Sequence, residues 1–165
     1  MQIPVRAIVI ALILLPLESV ADAVAIPLSE RGASTLYVEV DVQGAGSRDF
    51  LVDTGSSYTS IGMETLDILE ARGMATFVRR VGGTMADGSR RYVPIYSIDG
   101  LTVGDRCRLD DVKVVVLPGR GRPILGVNAL RRLSPITFSM DPPALEPGRC
   151  REGAPSDERT ASSDG

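Results

Sequence analysis

Phe50-Leu51-Val52-Asp53-Thr54-Gly55-Ser56-Ser57 drives three apolar residues into an acid, a glycine and a run of hydroxyls. A carboxylate at the end of an apolar strand loses hydration unless hydrogen bonds or a shared proton compensate it, so a site that keeps one uses it. Asp, Thr, Gly and Ser also make ordinary turns that lead into a helix, and the stretch alone reads either way. The rest of the chain shifts the balance. It supplies a second apolar-apolar-Gly element, Ile124-Leu125-Gly126, and a glycine-rich hairpin lies between the two.

Working outward, residues 34–42 alternate apolar and polar side chains, as a strand with one buried face does. Gln43-Gly44-Ala45-Gly46-Ser47 supplies a hairpin turn, and residues 48–52 return to deliver Asp53. Residues 63–72 place apolar side chains at helical spacing and stop at Gly73, a left-handed cap. Residues 76–81 and 91–103 read as strands joined by a hairpin tip at Asp87-Gly88. Val114-Val115-Val116-Leu117 is dense enough for a core strand within residues 111–117. After a Gly/Arg/Pro loop, Ile124-Leu125-Gly126 opens a helix over residues 127–133, and residues 136–140 alternate as a last strand. Strand, glycine turn and helix thus occur twice, a weak internal repeat.

The 165 residues leave room for one domain. Residues 1–23 combine one early positive charge, an apolar run too short for a comfortable membrane span and the small-x-small stretch Ala21-Asp22-Ala23. They read as a cleaved secretory signal, with an uncleaved membrane anchor as the alternative. Residues 142–165 lose apolar periodicity and read as a disordered polar tail. The expected address is periplasmic or secreted, or membrane-anchored facing the periplasm. With a net charge of −3 and scattered arginine pairs, no basic stripe points to nucleic acid.

The chain has no histidine, which removes Ser-His-Asp and Cys-His catalysis and histidine-containing zinc sites. Its two cysteines, Cys107 and Cys150, are too few for a thiolate cluster, so neither a metal nor another cofactor is expected. A bond within the chain, a bond between subunits and free thiols all remain open for them.

The Asp53-Thr54-Gly55-Ser56 motif, followed by Ile124-Leu125-Gly126, resembles single-domain retropepsin-like aspartic proteases over residues 34–141. The resemblance implies a mostly β fold, a closed β-barrel lobe with one or two short helices. It also implies an aspartic endopeptidase without cofactor, acting on peptide or protein substrates. With one Asp-Thr-Gly per chain, a homodimer would be needed to bring a second Asp53 across a two-fold axis. The catalytic residue would be Asp53. Gly55 would offer its N–H to the carboxylate, Thr54 would hydrogen-bond across the axis, and Ser56 would donate to the outer carboxylate oxygen. Ala86, Asp87 and Gly88 fall where the family has a substrate-binding flap. Gly126 would pack beneath the aspartate loop. Family members pair through terminal strands, for which residues near Ser34 and residues 136–140 are the candidates.

Two other readings remain open on the sequence. One is a catalytically inactive retropepsin-like module that binds extended peptides or serves assembly. The other is an unrelated exported β-rich domain whose Asp-Thr-Gly is only a turn, in which case Asp53→Asn would change nothing.

Overall fold

A computed structural model describes residues 24–32, 34–84, 88–119 and 121–150. The signal or anchor expected at residues 1–23, the tail beyond residue 150 and the flap residues Ala86 and Asp87 lie outside the described residues. The described residues form ten strands and two short helices. They are β1 (Ile26–Arg31), β2 (Thr35–Val42), β3 (Gly46–Val52), β4 (Thr59–Gly62), α1 (Met63–Ala71), β5 (Ala75–Thr84) and β6 (Arg90–Val103). There follow β7 (Cys107–Leu117), β8 (Ile124–Leu125), α2 (Val127–Leu133), β9 (Ile136–Met140) and β10 (Pro143–Pro147).

The order across the sheet is β5-β6-β7-β4-β8-β3-β2-β1-β10-β9, and β2 also pairs with β6 through Val40↔Val103, Asp41↔Thr102 and Val42↔Leu101. This extra pairing closes the six strands β6-β7-β4-β8-β3-β2 into a circuit. The β5–β6 hairpin and the β1-β10-β9 ribbon extend from it. Val38, Val40, Phe50, Ile61, Leu69, Leu101, Val114, Leu125 and Leu133 are among the side chains that fill the core.

The internal repeat has a spatial meaning. β3, which precedes the Asp53 loop, pairs in parallel with β8, which follows the Gly/Arg/Pro loop. Reciprocally, β4 follows the first loop and pairs in parallel with β7, which precedes the second. Each half of the repeat therefore completes the other.

Local rules account for the element ends. Gly44 and Gly46 take positive φ values of 87° and 81° in the β2–β3 turn. α1 buries Thr65, Leu66 and Leu69 and ends where Gly73 adopts φ 67°. There the Gly73 N–H donates to the Glu70 carbonyl and the Met74 N–H to that of Leu69, which satisfies carbonyls the helix end would otherwise leave open.

The folded unit is larger than residues 34–141. β1 begins at Ile26, which is 1% exposed, and pairs with β2 and β10. Residues 142–150, placed in a polar tail on sequence, contain β10, which lies between β9 and β1 with Ala144 and Leu145 buried. Two adjacent buried side chains bounded by prolines show no period, so only the long-range pairing reveals the strand. β7 likewise begins at Cys107 rather than at residue 111.

The state of the cysteines, open on sequence, is a bond within the chain. Cys107 at the start of β7 is joined to Cys150 just beyond β10, with 4.8 Å between their Cα atoms and 43 residues of separation. The bond closes the C-terminal ribbon onto the circuit. For a loop of this length it is expected to contribute about 2–4 kcal/mol. Replacing both cysteines by alanine should lower the urea unfolding midpoint accordingly. Equal midpoints for the variant and the oxidised wild type would show that the bond does not hold the ribbon.

Candidate active site

Strand alternation decides where Asp53 points. Phe50 is fully buried in the core and Val52 packs against it, whereas Leu51 and Asp53 fall on the opposite face of β3 and are half-buried. The carboxylate is thus not driven into the apolar interior. Its backbone is fixed from β8: the Leu51 N–H donates to the Pro123 carbonyl at 2.9 Å, and the Asp53 N–H to the Leu125 carbonyl at 3.2 Å.

Beyond Asp53 the chain folds back on itself. The Gly55 N–H donates to Asp53 Oδ1 at 2.8 Å, while the Ser56 N–H reaches the Asp53 carbonyl at 3.4 Å. A Cβ on Gly55 would stand 3.1 Å from the same Oδ1, a tight contact that favours glycine at this turn. The Ser56 hydroxyl donates to the Tyr58 carbonyl at 2.8 Å rather than to the carboxylate, because the turn aims it along the loop. Thr54, Gly55 and Ser57 are exposed.

The loop is locked from below by the start of α2. A Cβ on Gly126 would lie 2.4 Å from both the carbonyl carbon and oxygen of Tyr58, and 2.8 Å from the Thr59 nitrogen. Only glycine permits backbone to meet backbone this closely. The N–H groups of Val127 and Asn128 donate to the carbonyls of Ser56 and Ser57 at 2.8 and 3.2 Å. Asn128 Oδ1 accepts from the Thr59 N–H at 2.7 Å and from the Thr59 hydroxyl at 3.0 Å, while Asn128 Nδ2 donates to the Lys113 carbonyl at 2.7 Å. Thr59 Oγ1 in turn accepts from the Gly126 N–H at 3.3 Å. Sequence reasoning missed Thr59 and Asn128. They stand 69 residues apart, and only the Asn two positions after the Ile-Leu-Gly element hinted at a partner for the loop.

The β5–β6 hairpin stands beside this loop. Its Val81, Val93 and Ile95 gather with Val115, Leu117 and Tyr58 in a small apolar cluster separate from the main core. Tyr58 belongs to the aspartate loop, so hairpin and loop share one packing unit. Gly88, at the hairpin tip, has φ 80°.

Residues 38–129, more than half of the chain, match the aspartyl protease family. The chain belongs to that family. Among solved structures it is similar to a retropepsin-like aspartic protease from Rickettsia conorii, with 16% identity and a TM-score of 0.56 over 76% of this chain and 91% of that one. The fold of this family member is therefore retropepsin-like. No curated protein matches the chain.

The lock beneath the aspartyl protease loop makes two quantitative expectations. Gly126→Ala forces a methyl group into backbone atoms and should cost at least about 1–3 kcal/mol. Asn128→Ala leaves the buried Thr59 N–H without its partner, at about 1–3 kcal/mol, while the exposed Lys113 carbonyl can turn to water. Urea unfolding checks both. A variant of either kind with wild-type stability would mean that the loop is held by other contacts.

Proposed function

We propose that this family member is an aspartic endopeptidase that acts as a homodimer, each protomer contributing one Asp53. The observation that carries the reading is the placement of Asp53: half-buried on the face of β3 turned away from the core, in a loop braced by α2 and hydrogen-bonded by the Gly55 N–H. The exposed Thr54, Gly55 and Ser57 leave the outer side of the loop available to a second copy. The edge strand β9 exposes Phe138 and Met140, which supports pairing through the terminal strands.

Two carboxyl groups held about 3 Å apart cannot both ionise, so the pair shares one proton. The ionised Asp53 takes a proton from a water molecule, whose oxygen bonds to the scissile carbonyl carbon. The protonated Asp53 of the other protomer gives its proton to the carbonyl oxygen, forming a neutral tetrahedral diol. Collapse of the diol returns a proton to the pair, breaks the C–N bond and passes a proton to the leaving nitrogen. Gly55 holds the carboxylate in place, and Thr54 reaches toward the partner loop. Ser56 braces the turn through Tyr58, so no direct effect on the carboxylate is assigned to it. Ala86, Asp87 and Gly88 are proposed to offer backbone groups to the peptide.

Residues 1–23 are proposed to direct export to the periplasm or beyond, as a cleaved signal or an anchor. The Cys107–Cys150 bond supports an oxidising address.

The test compares wild-type protein, residues 24–165, with Asp53→Asn on an unfolded protein substrate between about pH 3.5 and 7.5, with and without pepstatin. The wild type should cleave and be inhibited, with specific activity falling on dilution. The variant should lose at least about a thousand-fold in kcat/KM, the scale expected on removing the acid–base group. Equal cleavage by both, or a folded wild type that cuts nothing, would leave a peptide-binding module instead.

A further inference from the structure

Cross-strand register defines a continuous surface around Asp53. Ile95 opposes Val115, Val115 opposes Ser60, Ser60 opposes Ile124, Ile124 opposes Leu51 and Leu51 opposes Tyr37. Directly opposed residues share a face of a sheet. The six therefore form one row across the strands, and Asp53 stands two residues beyond Leu51 on the same side. The other face carries Phe50, Ile61, Val114 and Leu125 into the main core. Ile95, Ser60, Tyr37 and Val115 are buried and Leu51 and Ile124 half-buried, so the row is the base of the face over which a peptide approaching Asp53 would lie. In its middle, Ser60 Oγ is buried with no hydrogen-bond partner among the described residues. Such a group costs about 1–3 kcal/mol unless something from outside the chain satisfies it.

The floor is apolar, and an arginine belongs to each of two of its flanks. Arg122 places its Cζ 5.8 Å from the centre of the Tyr37 ring. It is anchored by its neighbour Pro123, whose carbonyl accepts the Leu51 N–H. On the other flank, Arg91 opposes Gly83 and alternates with the buried Val93 and Ile95, so it shares their face, while Tyr92, 79% exposed, takes the opposite one. Arg31 pairs with Asp49 and Arg108 with Asp110. Neither Arg122 nor Arg91 meets an acidic side chain among the described residues.

We infer that Arg122 and Arg91 set substrate specificity, selecting peptides with an acidic side chain a few residues from the scissile bond. This rests on Asp53 being the catalytic residue. Four strand positions separate Arg122 from the level of Asp53, or about 13 Å at ~3.3 Å per residue. With the reach of the arginine side chain, the guanidinium meets an extended peptide two to four residues from the bond cut. A carboxylate there gains a charge-assisted, two-point partner that a neutral amide lacks. The Tyr37 ring lies within cation–π range of Arg122, and the nearer Arg31, 4.9 Å from the same ring, has its charge met by Asp49.

The test uses matched peptides with one cleavable bond and Glu, Gln or Lys at each position two to four residues on either side. The wild type should cleave the best Glu peptide about five-fold faster in kcat/KM than its Gln twin at low salt, with Lys slower still, and the ratio should shrink as salt rises. Arg122→Glu and Arg91→Glu should each reverse the Glu-to-Lys order at the positions they face. Arg131→Glu, an exposed change on α2, should leave the order as in the wild type. A wild type that cleaves Glu and Gln peptides equally, or a Glu preference that survives both cleft substitutions, overturns the inference while the endopeptidase reading stands. A wild type that cleaves none of them overturns both.

Discussion

The arrangement around Asp53 depends on one close approach, the contact of Gly126 with the backbone of Tyr58 and Thr59. Any side chain at Gly126 would overlap atoms of the aspartate loop. Because the contact is made, the start of α2 lies close enough to donate to Ser56 and Ser57, and Asn128 can tie Thr59 to Lys113 on β7. The start of α2, β4 and β7 are thereby fixed around the loop of residues 53–58. The loop needs no core of its own. It is held by hydrogen bonds whose partners belong to the second half of the repeat, and the parallel pairing of β3 with β8 and of β4 with β7 brings those partners into register.

A second constraint is the two-residue period of β3. It sends Phe50 and Val52 inward and Leu51 and Asp53 outward, which resolves the tension between an apolar strand and an acid at its end. The carboxylate leaves the core on the face that carries the apolar row and meets the β5–β6 hairpin through Tyr58. Stability and site are thus separated by alternation at the end of this strand: Phe50 and Val52 serve the core, Leu51 and Asp53 the opposite face.

Much of this was legible in the sequence, for identifiable reasons. The alternation in β2, the helical spacing in α1 with its Gly73 cap, and the Val-rich β7 are local patterns that the fold uses directly. Asp53 with Gly55, and Gly126 after Ile124 and Leu125, stood out because glycines next to apolar runs mark special backbone geometry. What escaped is what no local window contains. β1 and β10 bury only Ile26 and Leu28, and Ala144 and Leu145, so their identity comes from pairing with each other and with β2 and β9. The Thr59–Asn128 bond spans 69 residues, and the partner of Cys107 could not be chosen from spacing. The Ser56 hydroxyl turned along its own loop, a choice of rotamer that a motif does not encode.

The central claim is that one chain holds half of a catalytic pair. It is tested most directly by refolding wild-type and Asp53→Asn protomers together at constant total protein and measuring peptide cleavage against the wild-type fraction. If both aspartates of a dimer are required, activity follows the square of that fraction, and an equal mixture retains about one quarter of the wild-type rate. A linear dependence, with about one half retained, would contradict the account, since each chain would then be working alone.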